Sequence, residues 1–70
     1  MNEGLLSALK ESLPRLEEEY AGGATLIVMQ YHEHGGHLQF YTCRERDVPR
    51  DNACDRYESL AGLIADIKAA

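Results

Sequence analysis

The stretch ATLIVMQYHEHGGHLQFYTCRER, residues 24–46, decides the fold. Ala24 to Glu33 is rich in Leu, Ile, Val, Thr and Tyr, and Leu38 to Arg46 in Leu, Phe, Tyr and Thr. These residue types suit a pleated, half-buried surface. Between the two runs lies His34-Gly35-Gly36-His37. Gly-Gly accepts the positive φ values of a two-residue type I′ turn, so the spacing predicts an antiparallel hairpin centred there. In that register His34 faces His37, His32 faces Gln39, Gln30 faces Tyr41 and Val28 faces Cys43.

Side chains alternate between the faces of a strand. One predicted face carries Ile27, Met29, Tyr31, Leu38 and Phe40, with Thr25 and Thr42 at its margin. That is a core face. The other carries Leu26, Val28, Gln30, His32 and His34 from one strand, and His37, Gln39, Tyr41 and Cys43 from its partner. It is polar near the turn and apolar at the far end.

A helix is expected on each side of the hairpin. Leu5, Leu9, Leu13, Leu16 and Tyr20 recur at helical spacing, with Leu6 widening the stripe, from about Asn2 to Tyr20. The stripe keeps its phase across Pro14, which favours one kinked helix, ended by Gly22-Gly23. After a loop from Asp47 to Asp51 broken by Pro49, a closing helix runs from Asn52 or Asp55 to Lys68. Tyr57, Leu60, Ala61, Ile64 and Ile67 form its inner face. Asp55 with Glu58 resembles a capping box, and Gly62 suggests close packing.

The order is thus α-β-β-α: a single α+β domain over residues 1–70, an antiparallel hairpin with two helices packed on one face. A chain of this size buries only about 60% of its unfolded surface, and a lone hairpin has two open edges. Homodimerisation is expected to complete it. With 12 acidic and 7 basic residues the formal charge is −5. That argues against a general nucleic-acid coat, which needs a basic face. No apolar run reaches the roughly 18 residues of a membrane span, and the start lacks the basic and apolar regions of a signal peptide. Two cysteines, Cys43 and Cys54, make no disulfide framework, so a reduced cytoplasmic chain is expected.

Four groups of residues invite a functional reading. His32, His34 and His37 supply the ligand number of a catalytic zinc site, for zinc or nickel. Their plain reading is a solvated hairpin tip. Protonation of all three in mild acid would move the charge from −5 to −2. A Cys43–histidine nucleophile pair fails on distance, because His37 lies about 20 Å along the strand. Arg44, Arg46, Arg50 and Arg56 suit a phosphate or acidic ligand, but Glu45, Asp47, Asp51 and Asp55 interleave with them, which reads as a salt-bridge network. Glu17, Glu18 and Glu19 oppose the macrodipole at the end of the first helix and offer an acidic surface to a basic partner. The apolar outer end of the hairpin, Leu26, Val28, Tyr41 and Cys43, has no cover and marks an interface.

The expected function is that of a small acidic interaction protein, not an enzyme and without a resident cofactor. It binds itself and a second protein with a basic surface, through Leu26, Val28, Tyr41, Cys43, Glu17, Glu18, Glu19, Arg44 and Arg46. It binds no nucleic acid and no membrane. An inhibitor or counter-defence protein of the phage-encoded type fits by analogy of size and charge. Metal binding by the histidine cluster is the alternative.

Overall fold

A computed structural model of the chain describes residues 2–48 and 56–70. The chain forms helix α1 (Glu3–Ala21), strands β1 (Leu26–His32) and β2 (His37–Cys43), a 3-10 turn (Glu45–Asp47), a two-residue strand β3 (Glu58–Ser59) and helix α2 (Leu60–Ala69). The three strands make one antiparallel sheet in the order β2-β1-β3. The fold is therefore α+β with two helices, as the pattern predicts, but with one strand more.

Helix α1 begins where the Asn2 side chain accepts hydrogen bonds from the backbone N–H groups of Gly4 and Leu5, at 2.8 and 3.3 Å. Those donors have no partner inside the helix, which is why Asn at this position stabilises it. The helix continues through Pro14. Pro14 has no N–H for the carbonyl of Lys10, yet both residues lie on the exposed side, where water can serve that carbonyl. Leu9 and Leu16 are wholly buried, and Leu5 and Leu13 pack beside them. Tyr20 departs from the expected stripe. It lies one turn beyond Leu16, past the end of the core, and is 49% exposed. Gly22 caps the helix, and Gly23, with φ 105°, turns the chain into the sheet.

The hairpin forms, but its register is corrected by two residues. His32 faces His37, Gln30 faces Gln39, Val28 faces Tyr41 and Leu26 faces Cys43. The turn takes four residues, Glu33 to Gly36, and the Gly36 N–H reaches the Glu33 carbonyl at 3.4 Å. His34 therefore belongs to the turn and not to the strand. Gly35 and Gly36 take φ values of 87° and 62°, conformations that strain any residue with a Cβ. The two glycines thus supply the positive φ values expected of them, one position later in the turn. Because the slide is even, every side chain keeps its expected face.

The closing helix is corrected more deeply. It starts at Leu60, with Ser59 as its cap, whose Oγ accepts from the Gly62 N–H at 3.2 Å. Glu58 and Ser59 are strand, opposite Ile27 and Leu26 of β1. The Leu60 N–H donates to the Thr25 carbonyl at 3.0 Å, which ties the start of α2 to the entry of β1. The proposed starts at Asn52 and Asp55 lie outside the described residues, and Glu58 serves the sheet and not a capping box. Tyr57 falls before the helix and so cannot line its inner face. That face is Leu60, Leu63, Ile64 and Ile67, all buried, while Ala61 is exposed.

The core joins these residues to Leu9, Leu16, Ala24 and Ile27, with Met29, Leu38 and Phe40 packed against it. Each fully buried Leu or Ile contributes about 1.5–3 kcal/mol of transfer free energy. Both helices thus cover one face of the sheet. Lys68 of α2 also meets Glu17 of α1 at 3.3 Å, an exposed pair worth at most about 1 kcal/mol.

Leu16→Ala is expected to cost about 2–5 kcal/mol. In so small a domain that removes most of the folded population, seen as loss of a cooperative urea transition. Gly62→Ala should act in the opposite sense. A Cβ there would meet Ser59 only at 3.5 Å, ordinary contact distance, so the expected close packing is absent. Its gain in helix propensity is up to about 1 kcal/mol, read as a rise of several degrees in melting temperature.

Candidate interaction face

The outer face of the hairpin is built by alternation. Ile27, Met29, Leu38 and Phe40 turn toward the helices. Leu26, Val28, Gln30 and His32 of β1, and His37, Gln39, Tyr41 and Cys43 of β2, turn the other way. Leu26, Val28 and Cys43 are half-buried, Tyr41 is 45% exposed, and the two glutamines and two histidines are exposed. In a chain with 12 acidic and 7 basic residues, the strand residues that form this face include no acid, lysine or arginine among those described. Gln30 and Gln39 sit directly opposite each other at its centre. Val28, Gln30, Gln39 and Tyr41 border a shallow depression between the strands.

The apolar end is not as bare as the sequence suggests. Tyr57 stands against Tyr41, with ring centroids 6.2 Å apart in an edge-to-face arrangement and hydroxyls 3.3 Å apart. This pair supplies both apolar area and polar tips, a combination frequent at contact surfaces. Tyr57 is the one member of the face that sequence patterning assigned elsewhere. The signal that would have found it is Ser59, a stronger helix start than Asp55 given the Leu-x-x-Leu-Ile-x-x-Ile stripe immediately beyond it.

The three histidines do not converge as expected. The corrected register brings His32 and His37 face to face, their rings stacked with centroids 6.2 Å apart. His32 Nε2 lies 3.4 Å from Gln39 Oε1. His34 stays in the turn. Among the described residues no group of three His, Cys, Asp or Glu side chains is set to hold a metal ion. Two imidazoles fall short of the three protein ligands of a catalytic zinc centre. Cys43, a free thiol, is at the opposite end of β2 from His37.

The charged residues are also dispersed. Glu17 turns to Lys68 of α2, and Glu19 accepts from the Thr42 hydroxyl at 3.1 Å on β2. Glu18 and Glu19 together border a depression with Arg44 and Asp47. Glu17, about 100° round the helix from Glu18, faces α2 instead. Among the described residues, Arg44 and Arg46 do not share a network either. Arg46 approaches Asp47 at 3.9 Å, whereas Arg44 donates to the carbonyl of Gly22 at 3.2 Å. Arg44 therefore places a positive charge at the C-terminal end of α1, where the macrodipole and three glutamates are all negative. Arg50, Asp51 and Asp55 lie outside the described residues.

β2 is an outer strand. On its helix side, the Arg15 guanidinium of α1 lies 4.8 Å from the centre of the Phe40 ring, and Glu19 accepts from Thr42.

No family model, curated protein or solved structure matches this chain. No helix among the described residues is long and apolar enough to cross a membrane.

Arg44→Ala is expected to cost about 0.5–1.5 kcal/mol, through the lost hydrogen bond and the lost charge at the helix end. Arg46→Ala should stay within about 0.5 kcal/mol, because its ion pair is exposed. Parallel denaturation curves of the two variants check the difference.

Proposed function

We propose that this chain is a small, acidic, non-catalytic interaction protein that works by occupying a surface of another macromolecule. The observation that carries the reading is the uncharged outer face of the hairpin, with Leu26, Val28, Tyr41 and Cys43 at one end and Gln30 and Gln39 at its centre. Charged groups are costly to strip of water, so a face without them is the part of this surface most readily covered. The glutamine amides and tyrosine hydroxyls each donate and accept hydrogen bonds, which gives a covering partner orientation as well as area.

An inhibitor or counter-defence role suits such a protein, because blocking a surface needs contact and no chemistry. Its working compartment is taken as the cytoplasm, where Cys43 and Cys54 stay reduced. Glu17 is engaged by Lys68 and Glu19 by Thr42, so a basic partner surface is not the centre of this proposal.

The test is a photo-crosslinking amino acid placed at Gln39 and, separately, at Glu11 on the solvent side of α1. Illumination in the native host should give discrete adducts from position 39 and none from position 11. No adduct from either position, or the same adducts from both, overturns the reading.

A further inference from the structure

We infer that the occupant of the uncharged face is a second copy of this chain, laid sheet against sheet about a two-fold axis that runs along the strands. The inference rests on the interaction reading above: the second copy covers the face whenever the other macromolecule does not.

Charge selects the copy. Two molecules that each carry −5 repel wherever their charged surfaces meet. The outer residues of β1 and β2 include no acid, lysine or arginine, so this face can meet its own image without apposing charges. A patch used by both subunits of a two-fold pair must be complementary to itself. Gln30 and Gln39 satisfy this, since amides pair with their own kind.

The gradient along the face selects the axis. Leu26, Val28, Tyr41 and Cys43 occupy one end, and His32 and His37 the other. A two-fold along the strands lays apolar end on apolar end, and places the central glutamines of one copy over those of the other. An axis across the strands would set Leu26 and Cys43 against the histidines. Growth of the sheet in its own plane would leave the outer face of each copy still open. Stacked sheets lie about 10 Å apart, within reach of these side chains.

The size of the face sets the strength. Two strands of seven residues span about 23 Å by 10 Å, a footprint of about 230 Å². Stable complexes cover about 800 Å² per partner, so this pairing is weak and concentration-dependent.

Sedimentation equilibrium between about 10 µM and 1 mM reads it, that range bracketing weak association. The wild-type mass should climb from 7.8 kDa toward twice that value. Gln39→Glu and Gln39→Lys should each weaken association by about tenfold or more, because each sets like charges face to face. Circular dichroism should show both variants folded. An equimolar mixture of the two should recover the heavier species, since the charges are then opposite. A wild type that stays at 7.8 kDa overturns the inference. So does association untouched by either substitution, or a mixture that remains monomeric. If the inference falls while the crosslinker at Gln39 still captures a species of another mass, the interaction reading stands and its partner is a different molecule.

Discussion

Burial of Ile27 is the contact on which the rest of the molecule depends. It is wholly buried on the central strand, facing Thr42 on one side and Glu58 on the other. Leu9 and Leu16 reach the same core from α1, and Leu60, Leu63, Ile64 and Ile67 from α2. Both helices must therefore lie on the side of the sheet that Ile27 faces. The opposite side is left to Val28, Gln30 and their partners. In a domain this small the two helices cover one face of the sheet, and among the described residues no helix covers the other.

Backbone hydrogen bonds bind this layer arrangement to the chain order. Thr25 sits where three elements meet: its N–H reaches the Cys43 carbonyl, its carbonyl takes the Leu60 N–H, and its hydroxyl takes the Glu45 N–H. One residue thus joins the entry of β1, the exit of β2 and the start of α2. Arg44 adds the end of α1 through Gly22. The hairpin base is the junction of the fold, while the histidine end is held by fewer groups, among them Asn2 and Glu33 at 3.5 Å.

Local patterning revealed much of this and hid the rest for physical reasons. The leucine stripe of α1, Leu5 to Leu16, is a period repeated over about three turns, and tertiary contacts agree with it. The alternation from Leu26 to His32 identifies the two faces even under a wrong register, because parity survives an even slide. The turn length was not legible. Two glycines satisfy a two-residue and a four-residue turn alike, and only pairing across the strands decides between them. The start of α2 was hidden by competing caps, Asn52, Asp55 and Ser59. Strand pairing of Glu58 and Ser59 with Ile27 and Leu26 settles the competition for Ser59, which the stripe beginning at Leu60 also favours locally. Tyr57 then falls before the helix, and its place beside Tyr41 is set by the strand and not by helical spacing. For the candidate face, the residues on β1 and β2 were legible from alternation, whereas Tyr57 was not, and the convergence of three histidines relied on the register and fell with it.

The four-residue turn has a consequence for how chains of this design can diverge. Residues Glu33 to Gly36 lie beyond the paired strands, so the pairing of His32 with His37 does not fix their number. Loops of about two to five residues each join two antiparallel strands when their residues suit the turn. A residue gained or lost in the turn therefore leaves Leu38 and Phe40 facing the helices, whereas one gained or lost within β1 or β2 sends the rest of that strand to the wrong face. Length variation is thus expected to be tolerated at the tip and resisted in the strands it joins.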